Sequence, residues 1–287
     1  MNYYYLIAGL PDLHIEDTKL FLPLLDFKKE LLVQLAPSDV ELIKLLFAKY
    51  DNQNFLLYLA NKEAELNPLG NLTSEDWQQL ITLMKETEHP NDKRLLPYIQ
   101  QFYAVYYEEE FWSEGISKED YLSTLYYEYA MNNNNDFLKS WFEFNLNINN
   151  ILVAVACRKY GIDQKKVIVG NNEIAQILRT TNARDFGLTN IFENLETLLQ
   201  IAEETDLLQR EKEIDAFKWK WLEKNTFFHY FSVEKILAFV IKMEILERWQ
   251  PLSVEKGTQI FRTMVNHLKE SVNFEEEANV TSRRYFR

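Results

Sequence analysis

The sequence predicts an all-α fold of about a dozen helices. Three observations lead there. Apolar residues recur at three- and four-residue steps over long stretches, which places them on single helix faces. Ser, Thr, Asp or Asn repeatedly precedes such a stretch in a capping position. Gly and Pro are scarce, at 7 each in 287 residues, and no segment reads as a convincing strand.

In chain order, Tyr3 to Ile7 forms a short aromatic entry that Gly9 and Pro11 break. Asp17 or Thr18 opens a helix through Leu35. Ser38 with Glu41 forms a capping-box pattern and opens Asp39 to Tyr50. The polar run Asp51 to Asn54 reads as a break, followed by a helix to Leu66. Pro68 and Gly70 mark a boundary, and Thr73 with Asp76 caps a helix to Thr87. Arg94 to Phe111 reads as one helix, with Pro97 in its first turn. Ser117 with Asp120 opens Glu119 to Met131.

Asp136 to Tyr160 is the strongest helix. Phe137, Trp141, Phe144, Ile148, Ile151 and Val155 share one face, and Leu138, Phe142, Leu146 and Val153 widen it. Asp136 is placed to cap its start and Gly161 to end it, after Arg158, Lys159 and Tyr160. Burying six large side chains gives a gross ~10–15 kcal/mol before chain entropy is subtracted, so other helices must surround this one.

Gly161 to Gly170 is a polar break. Asn171 or Asn172 caps Glu173 to Thr180, Thr189 opens Asn190 to Glu203, and Asp206 to Lys224 forms a charged amphipathic helix. Ser232 caps a second strongly apolar helix, Val233 to Trp249, and Val254 to Glu270 forms the last. The helices group as an N-terminal bundle over 1–70, a middle bundle over 71–165 carrying the long helix 136–160, and a C-terminal bundle over 166–270. A weakly ordered tail over 271–287 is expected from its blocks of like charge.

Composition narrows the function. A net charge of −13 argues against a nucleic-acid partner, which needs a basic stripe, and against broad binding to anionic lipid. The single cysteine, Cys157, sits in the long helix as a small core residue and fits a reducing compartment. The N-terminus lacks the basic region of a signal peptide, and no run of about 18 apolar residues suggests a membrane span. A cytoplasmic location is expected.

Chemistry-bearing motifs are sparse. His14, His89, His229 and His267 share no metal-ligand spacing, and the glycines are scattered singly, so no metal, cofactor or phosphate loop is expected. Glu108, Glu109 and Glu110, like Glu203, Glu204 and Asp206, read as solvated acidic faces. Four polar residues inside apolar helices are candidates for a polar core: Asn145 and Asn149, one turn apart, and Glu244 with Arg248, also one turn apart.

Two stretches carry a resemblance. Trp141, Glu143, Asn145, Leu146, Ile148, Ile151 and Arg158, then Gly161, follow a helix pattern of the form L-x-x-E-x-D-L-x-N-(I/L)-x-x-(L/I)-x-R. Phe231, Ser232, Glu234, Ile236, Leu237, Ala238, Phe239 and Glu244 follow F-S-x-E-x-(I/V)-L-A-Y-x-x-x-x-E-x-E-I. In this order, after the aromatic start at Tyr3 and Tyr5, they resemble the C subunit of V-type (archaeal A-type) rotary ATPases, called subunit d in eukaryotes. The likeness is greatest to a divergent bacterial branch encoded beside V-type ATPase subunits. The chain departs from the pattern at Asn145, where Asp is usual, at Ile148, where the following Asn falls, and over its first 35 residues.

The resemblance implies a funnel of three similar helical bundles with no active site. Its partners would be the shaft subunits and the membrane rotor ring of the ATPase, which it would couple while lying peripheral to the inner face of the membrane. The competing expectations are a helical protein–protein adaptor outside the ATPase, and an all-helical enzyme with convergent carboxylates or histidines in a deep pocket.

Overall fold

The longest apolar stripe in the sequence becomes the longest helix of the fold. In the computed structural model, which describes residues 3–87, 90–112 and 115–250, Asp136–Tyr160 is a single helix. In chain order the helices are α1 (Tyr4–Ala8), α2 (Leu24–Gln34), α3 (Pro37–Ala60), α4 (Ser74–Glu86), α5 (Pro97–Val105), α6 (Glu109–Trp112), α7 (Lys118–Met131) and α8 (Asp136–Tyr160). They continue as α9 (Glu173–Thr180), α10 (Leu195–Glu203), α11 (Leu207–Thr226) and α12 (Val233–Trp249), with a 3-10 turn at Gln164–Lys166. The chain is all-helical, with no strand among the described residues. The helix expected over 254–270, the tail 271–287, His89 and His267 lie outside the described residues.

The helix ends follow from local chemistry. Thr73 and Asp76 form the expected capping box of α4, and Ser117 accepts from the Asp120 N–H at the start of α7. Asn172 accepts from the Ala175 N–H at the start of α9, and Asp206 accepts from the Leu208 and Gln209 N–H groups at the start of α11. Gly161 ends α8 in the left-handed conformation at φ 67°. Two caps differ from expectation. Asn135 rather than Asp136 caps α8, through the Leu138 N–H. Extended Ala36 and Pro37 start α3, where no side-chain cap forms, while Ser38 turns to Asp39 instead.

Four segment boundaries also differ. The first long helix begins at Leu24, directly after Pro23, whose ring disfavours helix in the residue before it. α3 runs unbroken through Asp51–Asn54 and stops at Ala60. The stretch read as one helix over 94–111 divides into α5 and α6. Trp112 Nε1 donates to the carbonyls of Val105 and Tyr106 at 3.0 and 3.2 Å, taking up acceptors released at the end of α5. α10 starts only at Leu195, because Phe186 and Asn194 hold positive φ values of 54° and 61° and the chain between them turns.

The chain divides into two units. The first comprises residues 3–10 and Leu25–Ala238. One part of its core packs Ile148, Ile151 and Ala154 of α8 with Ile174 and Leu178 of α9, Leu195 and Leu198 of α10, and Ile214 of α11. Another part is aromatic: Phe55 stacks on Trp77 at 4.8 Å and meets Phe102 edge-on at 6.0 Å. The second unit comprises Pro11–Leu24 and 239–250. Within it the Glu247 carboxylate accepts from the Leu24 N–H at 2.9 Å, and the Phe21 and Phe239 rings lie 6.2 Å apart.

Gly170 is a tight point of the first unit that also holds a left-handed conformation. It sits at φ 79°, and a Cβ there would lie 2.8 Å from Leu146 Cδ2. Gly161 has a similar φ of 67° but open space around it. Gly170→Ala is therefore expected to lower stability by roughly 2–4 kcal/mol, and Gly161→Ala by only about 1–2 kcal/mol, in urea denaturation monitored by circular dichroism.

Candidate functional site

Asn145 and Asn149 converge on one hydroxyl. Half-buried Asn145 donates to Tyr127 Oη of α7 at 2.8 Å, and Asn149, more exposed, hydrogen-bonds the same group. Burial pushes the Tyr127 hydroxyl up to about 12, against the lowering effect of these two amides. Glu244 and Arg248 lie on the part of α12 that belongs to the second unit. Glu244 is half-buried, and Arg248 is exposed with its guanidinium 5.4 Å from the neighbouring Trp249 ring.

The most buried polar side chains are others. Asp51, Asn52 and Asn54, among the residues read as a break, lie inside α3, where Asp51 and Asn54 face the loop before α4 and Asn52 faces Tyr98 of α5. Asp51 Oδ1 accepts from the N–H groups of Asn71 and Leu72 at 2.6 and 3.0 Å, and its Oδ2 from Asn71 Nδ2 at 2.5 Å. Asn54 exchanges two hydrogen bonds with the backbone of Asn67, at 2.8 and 2.9 Å. Lys28 of α2 donates to the carbonyls of Leu69 and Gly70, with its ammonium 4.3 Å from the Phe47 ring. Asn52 accepts from Tyr98 Oη at 2.6 Å. Burial pushes the Asp51 carboxyl up to about 6, against its N–H donors and the Lys28 charge. Burial also pulls the Lys28 ammonium down to about 8, although the Asp51 charge acts the other way.

A second clamp repeats the device on α8. Asn150 donates to the Val169 carbonyl at 2.7 Å and accepts from the Val169 N–H at 3.0 Å. Asn147 accepts from Asn172 Nδ2 at 2.8 Å. Arg158, in the position of the motif arginine, donates to the carbonyls of Arg184 and Ala183 and lies 3.9 Å over the Phe186 ring. The sequence signal for both clamps is an Asn or Asp pair three residues apart within an apolar helix: Asp51 with Asn54, and Asn147 with Asn150.

One surface of the first unit is richly aromatic. The Tyr3 N–H donates to the Phe231 carbonyl at 2.7 Å, and the Tyr3 hydroxyl donates to Asp39 and accepts from the Ala36 N–H. This holds the entry to α1 beside the turn between α11 and α12. The Tyr4 ring lies 4.1 Å from Phe231, and Phe227 meets Phe228 edge-on at 5.0 Å. Phe227, Phe228 and Tyr230 are 66%, 81% and 62% exposed, and Tyr5 is 96% exposed. Beneath them, Glu234 accepts from Asn135 Nδ2 at 2.8 Å and lies 3.5 Å from His229 Nδ1. Burial acts to raise the Glu234 carboxyl, but hydrogen bonds from Ser232, its own N–H and Asn135, with the His229 charge, hold it below the ordinary range.

Among the described residues, no group of three or more His, Cys, Asp or Glu is arranged to hold a metal ion. Cys157 is buried, and burial pushes its thiol up. The exposed rings stand on a helical frame whose loops are hydrogen-bonded to the helices. The chain belongs to the family described as "Protein of unknown function (DUF2764)", whose model matches residues 1–272. No curated protein and no solved structure matches it.

The folded Asp51 carboxyl binds its proton more tightly than an unfolded one. Its contribution to stability is therefore present below about pH 4 and lost as pH rises through about 6. The stability difference between wild type and Asp51→Asn, which lacks this titration, is expected to fall by no more than about 3 kcal/mol across that window in urea unfolding series. A carboxyl resonance of Asp51 that titrates near 4 by NMR would contradict this.

Proposed function

We propose that this chain is a non-catalytic coupling subunit of a V-type rotary ATPase. In this reading it is peripheral to the inner face of the cell membrane and links the rotating shaft to the membrane rotor ring during ion transport. The funnel of three related bundles belongs to the same proposal.

The observation that carries the reading is the meeting of the two stretches that resemble the C subunit. Asn135, which caps the helix bearing the first pattern, donates to Glu234 of the second at 2.8 Å. The motif apolar residues Trp141, Leu146, Ile148 and Ile151 are buried, while Glu143 faces outward. No helix among the described residues is long and apolar enough to cross a membrane, consistent with attachment through protein contacts. The exposed rings of Tyr5, Phe227, Phe228 and Tyr230 supply the apolar contact that an assembly interface requires.

A helical adaptor outside the ATPase is the second reading, favoured by the same exposed rings. Affinity purification of the tagged full chain from its own cells, after mild cross-linking, separates the two. The shaft and rotor-ring subunits are expected to co-purify. Phe227→Ser with Phe228→Ser is expected to weaken that recovery at least roughly tenfold, as for loss of aromatic anchors, with the fold retained by circular dichroism. Recovery of other partners in their place would replace the first reading with the second.

A further inference from the structure

A cleft of about 460 Å³ opens in the first unit between α8, the segment around Phe192 to Thr197, and α11. Its volume falls within the range of small-molecule sites. Three features define what would fit it, and none of them bears on the coupling role.

The first feature is a wall of near-parallel rings. Phe144 lies 4.8 Å and 16° from Trp221, 5.8 Å and 16° from Phe217, and 6.2 Å and 11° from Phe192. All four line the cleft. A flat ring extends such a stack with full face contact, whereas a puckered ring does not.

The second feature is charge balance. Lys224 at the mouth contacts both oxygens of Glu193, at 2.7 and 2.9 Å. The remaining charged lining residues, Glu143 and Lys220, are one of each sign. The site therefore favours an uncharged occupant.

The third feature is a free donor whose identity is fixed by its neighbours. The Ala175 N–H donates to Asn172 Oδ1 at 3.1 Å, so the Asn172 amide must present its NH2 group to Asn147. That NH2 donates to Asn147 Oδ1 at 2.8 Å, leaving Asn147 with its own NH2 as the remaining group. Asn147 is only 6% exposed, lines the cleft, and makes no second side-chain hydrogen bond among the described residues. An amide donor that opens into the cleft is available to an acceptor on whatever fills the space.

We propose that this cleft binds an uncharged planar heteroaromatic ring carrying an exocyclic carbonyl, the chemistry shared by aromatic carboxamides and nucleobases. The ring continues the stack on Phe144 and Trp221, and the carbonyl accepts from Asn147 Nδ2.

NMR titration of the full chain tests this with nicotinamide and uracil as probes, and with benzoate and methyl glucoside as the charged and puckered controls. Nicotinamide or uracil is expected to bind in the millimolar range and to shift the Asn147 side-chain amide resonances, and whichever binds tighter identifies the source of the ring. Asn147→Asp keeps the acceptor for Asn172 but removes the donor, and is expected to weaken binding roughly tenfold. Ser140→Trp, at an exposed position of α8 lining the cleft, is expected to block it without disturbing the core. It keeps the test decisive if Asn147→Asp does not fold. The proposal is overturned if neither probe shifts Asn147, if methyl glucoside binds as well as they do, if Ser140→Trp binds like wild type, or if only a protein partner's side chain protects the cleft.

Discussion

Backbone shielded from water must find hydrogen-bond partners, and in this chain the long helices supply them to the loops. Asp51 and Asn54 bind the N–H and carbonyl groups of 67–72, and Asn150 binds both backbone groups of Val169. Lys28 and Arg158 add charged donors to the Leu69, Gly70, Ala183 and Arg184 carbonyls. Each clamp fixes where a loop lies across a helix, and hence where the next helix begins. The packing of α4 against α3, and of α9 against α8, therefore rests on polar contacts as much as on apolar burial. Gly70 shows how closely the parts approach, since a Cβ there would meet Asn54 Nδ2 at 2.5 Å.

Apolar periodicity made the helices legible, and side-chain caps made several of their ends legible. The bounds of Asp136–Tyr160, Glu173–Thr180 and Val233–Trp249 follow from stripes bounded by residues of clear local preference. The break expected at Asp51 to Asn54 shows the limit of that reasoning. Four consecutive polar residues argue for a loop only while they face water, and three of these are buried instead, Asp51 and Asn54 against residues 67–72 and Asn52 against Tyr98. On α8, periodicity groups residues by face but does not say what the opposing element offers. Asn145 and Asn149 meet a tyrosine hydroxyl on one side, while Asn147 and Asn150 meet the loop after Gly161 on another. That distinction depends on where residues 167–172 come to lie, which no single helix encodes.

The aromatic content divides into three uses. Phe55, Trp77 and Phe102 are fully buried and fill the core near α3 to α5. Phe144, Phe192, Phe217 and Trp221 line a cleft with parallel faces. Tyr5, Phe227, Phe228 and Tyr230 remain outside. In a chain of net charge −13, such an apolar outer surface would offer a partner a contact that does not depend on neutralising the acidic remainder. A rigid transmitter of force and a simple adaptor would both use it, so partner identity rather than surface chemistry separates the two proposals.

The anchoring of Tyr3 has a consequence for biosynthesis. Its hydroxyl finds Asp39 and Ala36 soon after the first helices leave the ribosome, but its backbone N–H must wait for Phe231, near the far end of the described chain. Until that residue emerges, the nascent chain carries Tyr3 held on one side only and Tyr4 without the ring it packs against. Closing so large a loop costs chain entropy that only the finished helices can offset. A segment made early is thus secured late.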